Sequence, residues 1–263
     1  MAISRAQMLK ELLPGLNALF GLEYEKYEDE HTLIYETESS DRSFEEEVKL
    51  SGFAAAPVKA EGAATSYDSA QESYTARYNH ETISMGFAIT EEAMEDNLYD
   101  SLGKRYVKAL AKSMANTKEV KGADVLNNAF SSSFTGGDGK SLIATDHPLS
   151  GGGSAANRAT SMADLNETSL EDALISVSTL TDDRQLQIAL KGMKLIVPPQ
   201  LQFVADRLIN TPGRVGTSDN DINAIRNMGM CPDRYVVNHY LTDNDAWFLK
   251  TDCPDGFKHF QRS

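Results

Sequence analysis

Three clusters in the sequence have residue types and spacings that could do chemistry. Gly139-Lys140-Ser141 matches the end of a phosphate-binding loop, in which backbone N–H groups cradle phosphate while lysine and hydroxyl reach its oxygens and metal. The first glycine of that motif belongs five positions before the second, and Phe134 stands there. The context is also reversed, because the pattern puts a helix before the loop where a strand is needed. Asp219, Asp221 and Asn223 have the spacing of the first oxygen ligands of a calcium loop, but Ala224 fills the glycine position and Met230 that of the bidentate glutamate. Asp and Asn at a helix start read instead as capping residues. Asp146-His147 is the one adjacent acid and imidazole. As a general base, or with Asp243 and Asp245 as the centre of a metal-dependent hydrolase, it is the enzymatic alternative.

The remaining reactive residues are scattered. His31, His80, His147, His239 and His259 form no HxH or HExxH pair that would bring two imidazoles to one metal, and no serine sits in a GxSxG elbow. Cys231 and Cys253 are the only cysteines and lack CxxC spacing, so both are expected as reduced, buried thiols. The reading assigns no catalytic, cofactor-binding or metal-ligating residue and no cofactor: the chain is not expected to be an enzyme.

Composition points the same way. The 263 residues carry 25 basic and 39 acidic side chains, a formal net charge of −14, which is the wrong sign for gripping nucleic acid along its phosphates. With 41% hydrophobic and 24% charged residues the chain is globular, as one large domain or two smaller ones. Apolar runs such as 195–197 fall far short of the ~20 residues that span a bilayer. The opening MAISRAQMLKELLPGLNALF is amphipathic and lacks the uninterrupted apolar stretch of a signal peptide, so neither membrane nor secretion is expected.

The elements that would position any site follow from periodicity. Met8, Leu9, Leu12 and Leu13 predict a short amphipathic helix that ends at Pro14-Gly15, followed by an apolar patch at Leu16, Leu19 and Phe20. Between 23 and 47 stand eleven acidic residues against Lys26 and Arg42, read as a solvated face or a segment that meets a basic partner. Tyr74, Ala76 and Tyr78, and then Ile83, Met85, Phe87 and Ile89, alternate with period two and predict strands. The small residues of 54–66 can stabilise no ribbon by themselves, so a ribbon there needs support from the rest of the fold or a neighbouring molecule. Thr90 caps a long helix over 90–130, with a possible break at Gly122 and an i+4 apolar row of Met94, Leu98, Leu102, Tyr106, Leu110 and Met114. After a Gly/Ser-rich loop over 131–154, the pattern predicts a helix capped by Asn166 or Thr168, a strand over 190–197 stopped by Pro198-Pro199, helices over 200–209 and 218–228, and strands over 234–241 and 246–250.

The order of these segments carries a resemblance. MLKELLPGLNALFGLEY, the acidic stretch, SMGFAITEEAMEDNLYDSLGKRYVKALAKSM, GGDGKSLIATDHPL and VVNHYLTDNDAWFLKTDCPDGFKHF together resemble a tailed-bacteriophage major capsid protein of the HK97-like fold, over nearly the whole chain. The resemblance implies an α+β HK97-like capsid fold: an N-terminal arm over 1–43, an extended β-hairpin E-loop over 44–89, a peripheral domain over 90–160 with the long spine helix, an α/β axial domain over 161–250, and a return segment over 251–263 toward the peripheral domain. It implies a structural protein that self-assembles into hexamers and pentamers of an icosahedral shell around packaged double-stranded DNA, bound without sequence specificity. Portal, scaffolding and decoration proteins are the further partners implied, the virion capsid is the implied location, and the host cytoplasm is the place of assembly.

The intersubunit contacts implied are Phe53, Val58, Lys59, Tyr74 and Tyr78 of the E-loop and Leu12, Leu13, Leu16 and Phe20 of the arm. Some family members crosslink an E-loop lysine to a neighbour's asparagine; Lys59 lies in that segment, and no crosslink is assigned. The family's chain returns to complete the peripheral sheet, whereas this one ends soon after Phe260, which leaves that strand unplaced. The start at Met1 directly before the arm implies a separate scaffolding protein. An encapsulin-type cellular shell, filled with cargo enzyme instead of DNA, shares the fold and is the nearest rival.

Overall fold

A computed structural model describes residues 5–88, 99–214 and 221–262. The chain divides into two compact units, Met1–His31 with Glu81–Gly122, and Thr32–His80 with Ala123–Ser263.

The first unit is built on two helices, α1 (Arg5–Tyr24) and α2 (Tyr99–Asn127), the last turn of α2 belonging to the second unit. α1 does not stop at Pro14 as the sequence suggests. Proline withdraws only its own N–H and crowds the carbonyl four residues earlier, and the leucine-rich flanks carry the helix through. At ~1.5 Å per residue the 29 residues of α2 make it about 43 Å long. It continues through Gly122, whose missing side chain is required, because a Cβ there would lie 2.8 Å from the Cβ of His31. The predicted start, 90–98, lies outside the described residues, and Met94 and Leu98 with it.

The buried row of α2 is one residue on from the expected one. Gly103, Val107, Ala111, Ala115 and Glu119 are buried, whereas Tyr106 is 51% exposed. Small side chains let neighbouring backbone lie close, and that closeness is what large-residue periodicity cannot report. The period-two segment 83–88 forms no strand, and Ile89 lies outside the described residues. No ladder partner is offered to it; instead it runs along α2, where Ser113 Oγ reaches Met85 Sδ at 3.8 Å and the Phe87 and Tyr106 rings lie 5.8 Å apart.

The second unit is centred on β6 (Gly192–Val197), flanked by β7 (Tyr235–Val237) in parallel and β8 (Phe248–Thr251) antiparallel. Successive β6 side chains point to opposite faces. Leu195 and Val197 enter one core with Leu165, Leu170, Leu174, Ala205, Ile209, Ile225 and Cys231; Ile196 enters a second with Ile34, Tyr35, Leu126, Ala129, Leu241 and Phe248. The first core is roofed by α3 (Glu167–Ser178) and α4 (Gln202–Asn210). Asn166, not Thr168, caps α3: its side chain accepts from the Ser169 N–H, and Ser169 answers in a capping box.

The helix expected over 218–228 is only the single turn α5 (Ala224–Asn227), capped by Asn223, with 218–220 outside the described residues. β7 is shorter than expected, because the Asn238 side chain accepts from the Tyr240 N–H and turns the chain off the sheet; β8 is displaced toward the C-terminus, starting at Phe248 and running one residue past Lys250. The 131–154 loop carries a small antiparallel pair, β4 (His147–Pro148) with β5 (Ser154–Ala155). Two further pairings complete the unit: the ribbon of β2 (Phe44–Ser51) with β3 (Gln71–Asn79), and β1 (Glu36–Ser40) in parallel with β9 (Lys258–Arg262). Sequence reading assigned no strand to 258–262, where β9 pairs with β1.

Candidate assembly surfaces

The β2–β3 ribbon has two unlike faces. Cross-strand partners share a face, so Glu45 and Glu47 lie with Tyr78 and Ala76, while Phe44, Glu46 and Val48 lie with Asn79, Arg77 and Thr75; the register slips after Val48, and Leu50 stands opposite Glu72. The first face is turned to its own unit. Tyr78 packs on Phe260 at 5.5 Å between ring centroids and donates to Glu47 Oε2 at 3.3 Å, and Lys49 stands 5.3 Å over the Tyr74 ring. Gly137 must be glycine here, since a Cβ would come within 2.9 Å of the Thr75 carbonyl and the Tyr74 ring.

Lys258 ties β9 to this face through Glu47 at 2.5 Å and Asp255 at 2.9 Å, and these carboxylates hold its ammonium well above the usual lysine range. Tyr74 and Tyr78 thus spend their rings on their own subunit. The outward face mixes apolar and charged groups: Arg77 pairs with Glu46 and lies 4.4 Å over the Phe44 ring, while Val48 is exposed, as is Leu50 past the irregularity, and beyond the strands so are Phe53, Val58, Lys59 and Tyr67. Val48 and Leu50 were legible in the alternation of Phe44-Glu-Glu-Glu-Val-Lys-Leu50, which the acidic count obscured.

Most of the acidic segment is a solvated face, with Glu25, Glu28, Glu36, Glu38 and Asp41 exposed, and its first part is tied to α2. Lys108 reaches Glu23 at 3.2 Å and Lys118 reaches Asp29 at 3.3 Å. His31 and Glu119, 2% and 3% exposed, bond twice: Nδ1 to Oε1 at 2.6 Å, and the His31 N–H to Oε2 at 2.9 Å. Asp29, His31 and Glu119 are the one group of three candidate metal ligands among the described residues. Lys118 already engages Asp29, and His31 and Glu119 hydrogen-bond each other, which makes the group an anchor. On α1, Leu16 and Phe20 are half-buried, with Phe20 stacked on Tyr24 at 5.7 Å; the side chains of Leu12 and Leu13 lie outside those described.

The family described as phage capsid protein matches residues 73–261, well over half of the sequence. The chain belongs to the phage capsid protein family. No curated protein matches it. Among solved structures, this capsid protein is similar to a chain of the procapsid of bacteriophage JBD30, with TM-score 0.61 and 12% identity over 91% of this chain and 100% of that one. A chain from the JBD30 capsid decorated with minor capsid protein trimers gives 0.60 and 11% over 82% and 92%, and one from the JBD30 capsid gives 0.58 and 11% over 79% and 89%. The fold is therefore an α+β capsid fold, and the protein is a structural capsid protein.

The residues that might have done chemistry hold the capsid protein's loops. Gly139, with φ +75, turns a short loop in which the Gly136 N–H donates to the Lys140 carbonyl at 2.8 Å, and no helix follows to cradle phosphate. Lys140 pairs with Asp146, so His147 turns to Asp138, its Nδ1 2.6 Å from Oδ2. Asp138 is held below its usual range: burial pushes it up, and the hydrogen bond and charge of His147 outweigh that. Asp243 accepts from the Asp245 N–H at 3.0 Å in a local turn.

Asp221 offers its carbonyl to the Arg214 N–H, and Asn223 bridges the Leu208 and Thr211 carbonyls; Asp219 lies outside the described residues. Cys231 is buried, its thiol pushed up to about 11 by burial. Cys253 is exposed, contrary to expectation, because it sits in the turn between β8 and β9.

Proposed function

We propose that the chain is the shell-forming major capsid protein of a tailed phage, assembling into hexamers and pentamers of an icosahedral head around double-stranded DNA. The observation that carries this reading is the ribbon. Its strands and its loop over 52–70 present Phe44, Val48, Leu50, Phe53, Val58 and Tyr67 to solvent, apolar side chains that a second copy would bury.

In this reading 44–89 is the E-loop, laid across a neighbour, with Phe53, Val58 and Lys59 at the contact and Tyr74 and Tyr78 bracing the ribbon on its own subunit. The segment 1–43 is the arm, in which Leu12, Leu13, Leu16 and Phe20 meet a neighbouring copy, and 90–160 is the peripheral domain with α2 as its spine. The axial domain is 161–250, and 251–263 returns to the peripheral side. The protein works by binding copies of itself and catalyses nothing. Portal, scaffolding and decoration proteins complete the particle, which assembles in the host cytoplasm and persists as the virion.

Negative-stain electron microscopy with light scattering tests this. Closed shells, tubes or capsomer rings are expected; a persistent 28.8 kDa monomer at high concentration, with scaffolding protein supplied, overturns it.

A further inference from the structure

Between α3 and β6 the chain makes a tight turn in which Thr181 pairs with Gln187. Asp182 closes the turn: its carboxylate accepts from the Arg184 N–H at 2.9 Å and the Leu186 N–H at 2.8 Å, and its own N–H donates to the Leu186 carbonyl at 2.8 Å. Gln185 takes φ +64, a conformation an L side chain adopts only when its surroundings fix it.

The turn delivers Asp183 and Arg184 to the root of the ribbon. Arg184 Nε donates to the Gly52 carbonyl at 3.1 Å, and one Nη donates to the Ser69 carbonyl at 2.9 Å and lies 3.5 Å from Asp68 Oδ1. Gly52 directly follows β2 and Ser69 shortly precedes β3, so one planar guanidinium spans both legs of the loop. Asp68 closes the neck from the other side, accepting from the Ala54 N–H at 2.8 Å. Beyond the neck the loop over 55–67 is exposed, and its backbone bond is local, from the Ala63 N–H to the Ala60 carbonyl at 3.1 Å.

We infer that Arg184 is a positioning residue for assembly: it fixes the direction in which the 53–68 loop leaves the subunit, so that the loop meets a neighbouring copy in one attitude. The inference rests on the reading of the ribbon as the intersubunit element. A loop free to swing about its neck must be ordered when it docks, and that entropy is subtracted from every contact it makes. A fork of hydrogen bonds across the neck removes the cost before assembly begins. Lysine cannot do this, because a single ammonium lacks the rigid plane that reaches two carbonyls and a carboxylate.

The test separates the clamp from the shell. Spin labels are placed at Val58→Cys and at the exposed α3 position Ile175→Cys, in a Cys253→Ser background, on full-length unassembled subunits, and the distance distribution is measured by pulsed dipolar spectroscopy. Arg184→Met keeps the aliphatic stem and loses the donors; it should broaden the distribution about twofold while leaving the melting profile of the subunit in place. Without labels, the same variant should close about fivefold fewer shells than the parent at equal concentration, and Arg184→Lys should resemble Arg184→Met. An unchanged distribution overturns the clamp, and a broadened distribution with normal shell yield overturns its role in assembly. If the parent itself forms no shells, the assembly reading fails while the distance measurement still decides the clamp.

Discussion

The β6-centred cores and the β2–β3 ribbon belong to the same unit and are held by opposite means. β6 buries Leu195 and Val197 on one face and Ile196 on the other, so its stability comes from apolar area removed from water and from ladders on both edges. The ribbon has one ladder and no core of its own. It is fastened by Lys258 to Glu47, by Tyr78 on Phe260, by Gly137 against Thr75, and at its root by Arg184 and Asp68. A strand packed on both faces cannot change its attitude without unfolding; a ribbon pinned by ions and hydrogen bonds keeps apolar groups for something else. The subunit thus separates a part held by burial from a part held by a few polar bonds that leaves apolar side chains at the surface.

That contrast breaks first, and most strongly, at β6. Leu195→Ala removes a fully buried side chain at the centre of the sheet and should cost ~3 kcal/mol of unfolding free energy, within the range of large-to-small core changes. Denaturant unfolding followed through Trp247, the only tryptophan, which packs against the same core, reads the loss directly. A change below ~1 kcal/mol would mean that the site collapses around the gap and that β6 is not the keystone.

Acid should act on the ribbon before the cores. Asp68 lies below its ordinary value of 3.8 because the Ala54 and Ser69 N–H groups and the Arg184 charge favour its carboxylate. Asp183, at the same root, is also lowered; its burial pushes upward, and the Ser150 and Ser51 hydroxyls with the Lys49 charge prevail. For a carboxyl with a depressed folded value, the stabilising contribution is complete above the ordinary value and disappears as pH falls through the folded one. Below pH 3.8 the 58-to-175 label distance should therefore broaden while Trp247 fluorescence stays native. Coincident transitions would show that ribbon and core melt as one cooperative body.

How much of this was legible follows the same division. β6, α3 with its Asn166 cap, and β3 announce themselves because burial, capping and alternation are local properties of the sequence. The helix through Pro14, the small-residue row of α2 and the unladdered 83–88 segment do not, since each depends on what lies alongside. β9 was hidden for a related reason: Lys258-His-Phe-Gln-Arg262 has little strand pattern, and its pairing partner β1 lies more than two hundred residues earlier. At the surfaces, Phe53, Val58 and Lys59 are exposed as expected, but the bonds of Arg184, Lys258 and the His31–Glu119 pair each join residues far apart in the chain. Spacing within one segment cannot encode them.

The smallest expected effect on stability sharpens the comparison most. Deleting 55–62 removes the outer part of the loop, including Val58 and Lys59, while leaving Gly52, Ala54, Asp68, Ser69 and the strands. Every residue removed is exposed, so the subunit gives up almost no buried area, and shortening a loop slightly reduces the entropy of closing it. The melting curve should stay within about 0.5 kcal/mol of the parent, as for surface changes away from core or cap. Shell formation should nevertheless fall steeply, because the apolar tip that a second copy would cover is gone. Normal shells from the deleted chain would move the intersubunit contact off the loop and onto the strands, where Phe44, Val48 and Leu50 remain exposed.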